Sequence, residues 1–306
     1  MSDTAQILTQ SLVAAPAARV RDYVDLLKPR VMSLVVFTGL IAVMIAPGHL
    51  HPFTAALAVL AIALGSGAAG AINMWFERDL DAVMARTRLR PLPMGRVAPD
   101  DALGLGVLLS LFSVLLMAVS TNFVAATLLA TAILFYVFVY TIWLKPRSIW
   151  NAVIGGAAGA AAPLIADAAV NGSIGLAGWS LFAIVFFWQP PHVWAIALYR
   201  KADYAAAGIP MPPSVIGDEA TRRRVVAYTA GLLPVTLAPY FFGLVGPIYF
   251  AIAGSMGLWF LYRAVQLFHA RTDEAARGVF RVSLVFLFSV FLAMMLDLMV
   301  PLEKLL

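Results

Sequence analysis

Cysteine is absent from the 306-residue chain, which excludes disulfide staples, thiolate metal ligands and a cysteine nucleophile. Charge is nearly as scarce. Asp, Glu, Lys and Arg make up 12% of residues, where soluble domains carry about 25%. Apolar residues reach 62% and the mean hydropathy is +0.90, so too little polar surface remains to face water. Such a composition is built to face lipid. The net charge of +5 invites a nucleic-acid reading, but nucleic-acid binders cluster their basic residues on a soluble face or tail. Here those residues sit between hydrophobic runs, and no nucleic-acid partner is expected. The apolar patch from Ile7 to Ala18 has no positive segment before it and no clean cleavage site after it. It reads as a lead-in and not a signal peptide.

Long charge-free runs are what the chain does have. Val31 to Phe76 and Ala102 to Leu144 contain no Asp, Glu, Lys or Arg, nor does Val225 to Tyr262. Ser148 to Tyr199 is broken only by Asp167, and Val282 to Val300 only by Asp297. A spanning helix needs about 20 apolar residues, so the first four runs are each long enough for a helical hairpin. Turn residues mark their middles: Pro47-Gly48-His49 with Pro52, Thr121-Asn122, Asn171-Gly172-Ser173 with Gly175, and Gly243 to Pro247. Four hairpins and a last span predict an all-α, polytopic fold of nine transmembrane helices in a single bundle. The expected organisation is a cytoplasmic segment 1–30 and one domain 31–306, with functional loops at 76–101 and 199–224.

Charge tests that count independently. In a nine-helix arrangement, 20 of the 21 basic residues fall on one side, and only Lys304 falls on the other. Positive loops stay cytoplasmic, so the N-terminus is expected inside a cell inner membrane and the C-terminus in the periplasm. The two long loops lie on that same cytoplasmic side, which makes it the expected working face.

The second loop opens with Asn73-Met-Trp-Phe-Glu77-Arg-Asp79-Leu-Asp81. Asn73, Glu77 and Asp81 are four apart, and steps of four stay on one helix face. An amide and two carboxylates on one stripe suit Mg²⁺, which keeps waters and is commonly shared with substrate phosphates. Arg86-Thr-Arg88-Leu-Arg90-Pro91-Leu-Pro93 follows at once, and guanidinium groups beside such a stripe match a diphosphate. The same arginines also serve the positive-inside rule. Near the end of the sixth span comes Trp188-Gln189-Pro190-Pro191-His192-Val-Trp194, followed by Arg200-Lys201-Ala-Asp203-Tyr204. His192 lies about two turns inside the apolar run, where ionisable groups usually face the bundle interior. Pro190-Pro191 is tolerated where a helix lines a cavity. Asp203 and Lys201 extend the carboxylate and phosphate-binding set from across that cavity.

These strings resemble the intramembrane prenyltransferases, nine-helix enzymes with acidic motifs after helices 2 and 6. The first family motif reads Asn-Asp-x-x-Asp-x-x-x-Asp; here it is Asn73-Met74-x-x-Glu77-x-x-x-Asp81, with Met74 in place of the first Asp. The second motif departs further, with Pro191-His192 where other members place an aspartate beside a tyrosine. Both departures resemble the haem-directed branch, as do Lys28-Pro29-Arg30, Tyr140-Thr-x-x-Leu-Lys145 and Asn151-x-Val-Ile-Gly-Gly-Ala-Ala-Gly. The resemblance implies transfer of a farnesyl group from farnesyl diphosphate to a vinyl group of haem b, giving haem O. It implies Mg²⁺ held by Asn73, Glu77 and Asp81, with Asp203 joining the catalytic set. Diphosphate would meet Arg86, Arg90, Lys201 and Lys145, and haem would meet His192, through iron or a propionate. Farnesyl diphosphate, haem b, the bilayer and a downstream haem-modifying or oxidase-assembly protein are the partners implied. Rival readings are a prenyltransferase for a quinone or chlorophyll precursor, a secondary transporter, and a non-catalytic haem-binding assembly factor.

The remaining candidates have plainer explanations. Asp167 and Asp297 are expected to snorkel or cap, and His49 and His51 to be solvated. Arg222-Arg223-Arg224 anchors a helix end at anionic headgroups. Gly155-Gly156-x-x-Gly159 reads as close helix packing, since no strand precedes it.

Overall fold

The structure, a computed structural model, describes residues 18–300. Among these residues every regular element is helical. A short α1 (Val20–Leu26) precedes α2 (Pro29–Ile45), α3 (Pro52–Phe76), the short α4 (Arg78–Val83), α5 (Pro99–Ser120) and α6 (Phe123–Leu134). α6 continues unbroken as a π-helix over Phe135–Leu144. Then come α7 (Asn151–Ile154), α8 (Gly156–Asn171), α9 (Leu176–Tyr199), and the short α10 (Lys201–Ala206) and α11 (Pro212–Val215). The chain closes with α12 (Asp218–Phe241), α13 (Pro247–Ala270) and α14 (Asp273–Met299). The patch from Ile7 and the site of Lys304 lie outside the described residues, apart from Ala18.

Seven segments are long and apolar enough to cross a bilayer: α3, α5, α6 with its π-helical continuation, α7 with α8, α9, α13 and α14. The pair α1 and α2, bent by 58°, makes an eighth if it is one broken span. α12 has 24 residues but opens with Asp218, Glu219 and Arg222 to Arg224, and its composition does not mark it as a span. The protein is thus a multi-pass membrane protein, with seven or eight recognisable spans where the charge-free runs predict nine.

Helix boundaries follow local chemistry. Pro29, Pro52, Pro99 and Pro247 begin their helices, where the missing N–H costs nothing. Asn122 and Thr272 accept hydrogen bonds from the backbone N–H of Ala125 and Ala275, 2.9 and 3.2 Å away, capping α6 and α14. Gly172, at φ 69°, ends α8 in the left-handed conformation that glycine adopts freely. The expected loop 199–224 is mostly helical, and α12 starts at Asp218 instead of Val225. A charge-free run marks where lipid begins, whereas the helix starts earlier, in the interface. There, acidic residues in the first turn favour the helix N-terminus.

Asp167 and Asp297 are caps. Asp167 accepts from the backbone N–H of Gly175 and Gly178 at the start of α9, at 2.6 and 3.1 Å. Asp297 accepts from Gly246, Ile248 and Tyr249 at the start of α13, at 2.8, 3.2 and 2.8 Å. Donors left over at a helix N-terminus are thereby satisfied by the side chain of a neighbouring helix.

The main apolar core joins Ile41, Ile62, Ile165, Leu181, Phe286 and Phe291 across α2, α3, α8, α9 and α14. In lipid, helices associate through close van der Waals packing and small residues. Gly156 and Gly159 serve that purpose. Gln189 of α9 lies over them, donates to the Gly156 carbonyl at 2.9 Å, and would sit 2.5 Å from a Cβ added at Gly159. Two satellite clusters fix the long loops. One ties Leu26 of α1 to Met74, Leu92 and Val97; the other ties Met84 to Ala197, Ala207, Ile209 and Met211.

Candidate active site

α3 hands over to α4 at Glu77 without losing its register. The Glu77 N–H donates to the Asn73 carbonyl at 2.9 Å, and Asp81 N–H to Glu77 at 2.7 Å. Asn73, Glu77 and Asp81 therefore do share one stripe, and all three are buried, at 1%, 4% and 3% exposure. Buried carboxylates need partners, and each rung of this ladder has a cation from a different segment. Lys28 Nζ donates to Asn73 Oδ1, Lys145 Nζ to Glu77 Oε1 at 2.5 Å, and Arg90 Nη1 to Asp81 Oδ2 at 2.7 Å. Asn73 Nδ2 completes the set by donating to Thr141 Oγ1 at 2.9 Å.

Backbone geometry delivers these cations. Lys28 sits at the bend between α1 and α2 with φ 53° and ψ 56°. That left-handed conformation is costly for a side-chain-bearing residue, and doubly disfavoured before a proline. Lys145 and Thr141 come from the π-helix and its end. The Lys145 N–H reaches back five residues to the Tyr140 carbonyl, 2.9 Å away, so Lys145 returns above the Tyr140 ring, 5.9 Å from its centroid. π-helical turns inside α-helices are concentrated at functional sites. The arginine run is pinned as well. Thr87 Oγ1 donates to the Asp81 carbonyl at 3.0 Å, and Arg96 Nε to Asp22 of α1 at 2.8 Å.

Burial by itself pushes the Glu77 carboxyl up, but Lys145 and then Lys28 outweigh it and hold the group below the usual carboxylate range. Glu77 is thus kept anionic by cations of the chain itself. Beside it runs an apolar cleft lined by Lys28, Val35, Gly65, Gly70, Tyr136 and Ile165 among others. Lys28 belongs to both the ladder and the cleft.

The second and sixth loops meet. Leu80 and Met84 pack against Val193, Ala197, Tyr204 and Ile209. Asp203 lies 3.6 Å from Arg200, and its buried Oδ2 accepts no hydrogen bond among the described residues. Lys201 is not brought to the ladder. It is exposed and paired with Asp218 at 2.8 Å, because α12 begins early enough to place an acid beside it. Arg86 is exposed and has no ion pair among the described residues. His192 stacks on Trp188, with ring centroids 4.4 Å apart, and faces Phe280 at 4.9 Å. Its Nδ1 lies 2.6 Å from Ser283 Oγ. Pro190 and Pro191 are buried within an unbroken α9. His51 is exposed and caps α3 through Nδ1, which accepts from the Phe53 N–H at 3.2 Å.

Spacing alone misses Lys28 as a member of the site, along with Thr141, Tyr136 and Ser283. Lys28 and Thr141 stand in strings that carry the family resemblance, Lys28-Pro29-Arg30 and Tyr140-Thr-x-x-Leu-Lys145, whereas Tyr136 and Ser283 carry no such signal.

A buried oxygen ladder paired with cations, at the side of an apolar cleft within a bundle of membrane helices, is the arrangement of an intramembrane prenyltransferase. Residues 34–292 match the UbiA prenyltransferase family, and the chain belongs to it. Among its relatives, Protoheme IX farnesyltransferase of Acidiphilium cryptum is 50% identical over 96% of this chain and 95% of that protein. The protein of the same name from Parvibaculum lavamentivorans is 47% identical over 99% and 97%. Among solved structures, one of digeranylgeranylglyceryl phosphate synthase superposes with a TM-score of 0.76 at 16% identity, covering 91% of this chain and 98% of that one. A UbiA homologue from Archaeoglobus fulgidus bound to GPP and Mg²⁺ gives a TM-score of 0.63 at 17% identity, covering 89% and 99%.

Proposed function

We propose that the protein transfers the farnesyl group of farnesyl diphosphate to a vinyl group of haem b, giving haem O. The observation that carries this reading is the buried ladder of Asn73, Glu77 and Asp81, met by Lys28, Lys145 and Arg90 beside an apolar cleft. A substrate with an anionic head and an isoprenoid tail matches both halves. Haem as the acceptor rests on the names of relatives about half identical over nearly the full chain.

The ladder fits Mg²⁺. Among the described residues no three acidic or histidine groups cluster as a self-sufficient metal cage. Mg²⁺ does not need one, because it takes one or two carboxylates and fills its shell with water and phosphate. Asn73, Glu77 and Asp81 would hold it, with Asp203 of the sixth loop joining them through Oδ2, which faces Arg200 at 3.6 Å without a hydrogen bond among the described residues. When bound, the ion neutralises charge on the departing diphosphate. Lys28, Lys145 and Arg90 then exchange their ladder partners for phosphate oxygens, with Arg86 free to join them. Lys201, held by Asp218, is left out of this set. Heterolysis of the C1–O bond sends the electron pair out with diphosphate. The vinyl π electrons form the new carbon–carbon bond at C1, and water captures the resulting cation beside the macrocycle, releasing a proton to solvent. Preorganised cations at the leaving group are the electrostatic lever.

In this reading α12 is a ninth span and the N-terminus is cytoplasmic in an inner membrane. The C-terminus is periplasmic, and the ladder opens on the cytoplasmic side. The basic residues at the ladder end of the bundle support that orientation. The test is incubation of purified protein with haem b, farnesyl diphosphate and Mg²⁺, followed by mass spectrometry for haem O. Product is expected, and Glu77→Ala and Asp81→Ala should abolish it. Turnover of 4-hydroxybenzoate without any haem O would overturn the assignment.

A further inference from the structure

His192 is held by a partner that decides which of its nitrogens is free. Ser283, fully buried on α14, has one hydroxyl proton and two close acceptors. Its Oγ lies 2.7 Å from the Phe280 carbonyl and 2.6 Å from His192 Nδ1. A carbonyl can only accept, so the Ser283 proton goes to Phe280. Both short contacts are then hydrogen bonds only if Nδ1 carries a proton and donates to Oγ. The opposite tautomer would leave two oxygens facing each other at 2.7 Å with no proton between them. α9 and α14 are locked in this arrangement by a second bond, from Trp188 Nε1 to the Ser283 carbonyl at 2.7 Å. The imidazole stacks on Trp188 and packs against Phe280, contacts that a turn of the ring would disturb. Nε2 has no hydrogen-bond partner among the described residues. It is also absent from the buried, unpartnered polar atoms, and His192 is only partly buried. Its lone pair is therefore available.

We infer that Ser283 is a positioning residue that fixes His192 as the Nδ1–H tautomer, so that Nε2 binds the iron of the porphyrin substrate and not a propionate. The inference rests on the haem reading above and makes it specific. An unprotonated nitrogen can donate a pair to a metal but cannot donate a hydrogen bond to a carboxylate. Histidine ligands commonly donate their other ring N–H to an oxygen in this way, and removing that oxygen typically costs about 10–100-fold in metal affinity or activity.

The experiment compares binding of ferric haem b and of metal-free protoporphyrin IX to the purified full chain in detergent, with the absorption spectrum of bound haem recorded alongside. The wild type should bind haem at least about tenfold more tightly than the metal-free ring, with a histidine-ligated spectrum. His192→Ala should erase that preference and that spectrum. Ser283→Ala keeps the imidazole, so it should still bind haem but more weakly, with a shifted spectrum and metal-free ring binding unchanged. Equal affinity for the two porphyrins in the wild type, or an unaltered haem spectrum in Ser283→Ala, would overturn the inference while leaving haem O synthesis intact. Failure to bind either porphyrin or to form haem O would instead overturn the haem reading itself, and the inference with it.

Discussion

Lys28 combines an awkward backbone with a useful side chain. Its left-handed conformation, φ 53°, costs about 1–2 kcal/mol for a residue with a Cβ. The ammonium group recovers part of this through its bond to Asn73, worth roughly 1 kcal/mol net. Strain kept at one residue, where the chain could have used glycine, is a mark of function. Two substitutions separate backbone from side chain. Lys28→Gly relieves the strain as it loses the bond, so its thermal midpoint should stay near that of the wild type. Lys28→Ala loses the bond and keeps the strain, and should be less stable than the glycine variant by about 1 kcal/mol. Both should lose at least about tenfold in turnover if Lys28 meets the diphosphate, a loss of about 1.4 kcal/mol in transition-state stabilisation. Thermal scans paired with haem O formation read the two effects separately. Full turnover in Lys28→Gly would mean that the lysine only plugs the ladder.

At the scale of elements, much of the architecture is legible in sequence because lipid imposes it. The breaks at Thr121-Asn122, Asn171 to Gly175 and Gly243 to Pro247 fall where the helices stop, since few residues besides these turn a chain tightly. The four-residue step of Asn73, Glu77 and Asp81 is legible for the same reason, being a property of one helix. Pairings across the bundle are not. Nothing local tells that Lys145 meets Glu77, 68 residues away, or that Lys201 meets Asp218. Nor does the pattern reveal that residues 135–144 are π-helical, since an apolar run facing lipid looks alike at either period. That segment invites a direct test. Deleting Phe138, a lipid-exposed residue, should convert the π-helix toward α and rotate the residues beyond it by roughly 100°. Thr141 and Lys145 would then leave Asn73 and Glu77. A misplacement of about 1 Å can cost 10²-fold in rate, so at least that loss is expected, with membrane insertion retained. Replacement of Phe138 by Leu should leave turnover near normal. Equal activity of deletion and replacement would show that the wider turn does not position the site.

For the whole molecule, the ladder couples otherwise separate parts. The start of α2, α3, the arginine run and the π-helix end all meet there through charged side chains, and Arg96 ties the arginine run to Asp22 of α1. The protein holds these groups in internal ion pairs and a lysine–amide hydrogen bond. Pairs this buried do not dissolve without replacement, because either partner left alone keeps its desolvation cost. Mg²⁺ without diphosphate would place a cation among three cations, and diphosphate without Mg²⁺ would place an anion beside two carboxylates. Only together do they offer each side a partner. Thermal stability in detergent should therefore respond to the pair and not to its members. At a hundredfold excess over Kd, bound ligand contributes about 2.7 kcal/mol, or several degrees in midpoint for a chain of this size. An unreactive farnesyl diphosphate analogue with Mg²⁺ should give that shift, and each alone much less. Glu77→Gln, which keeps the shape of the rung but removes its charge, should weaken the joint response. An equal shift from the analogue in the presence of a chelator would show that the diphosphate is held by lysine and arginine alone, and that the carboxylates serve only to fix those cations in place.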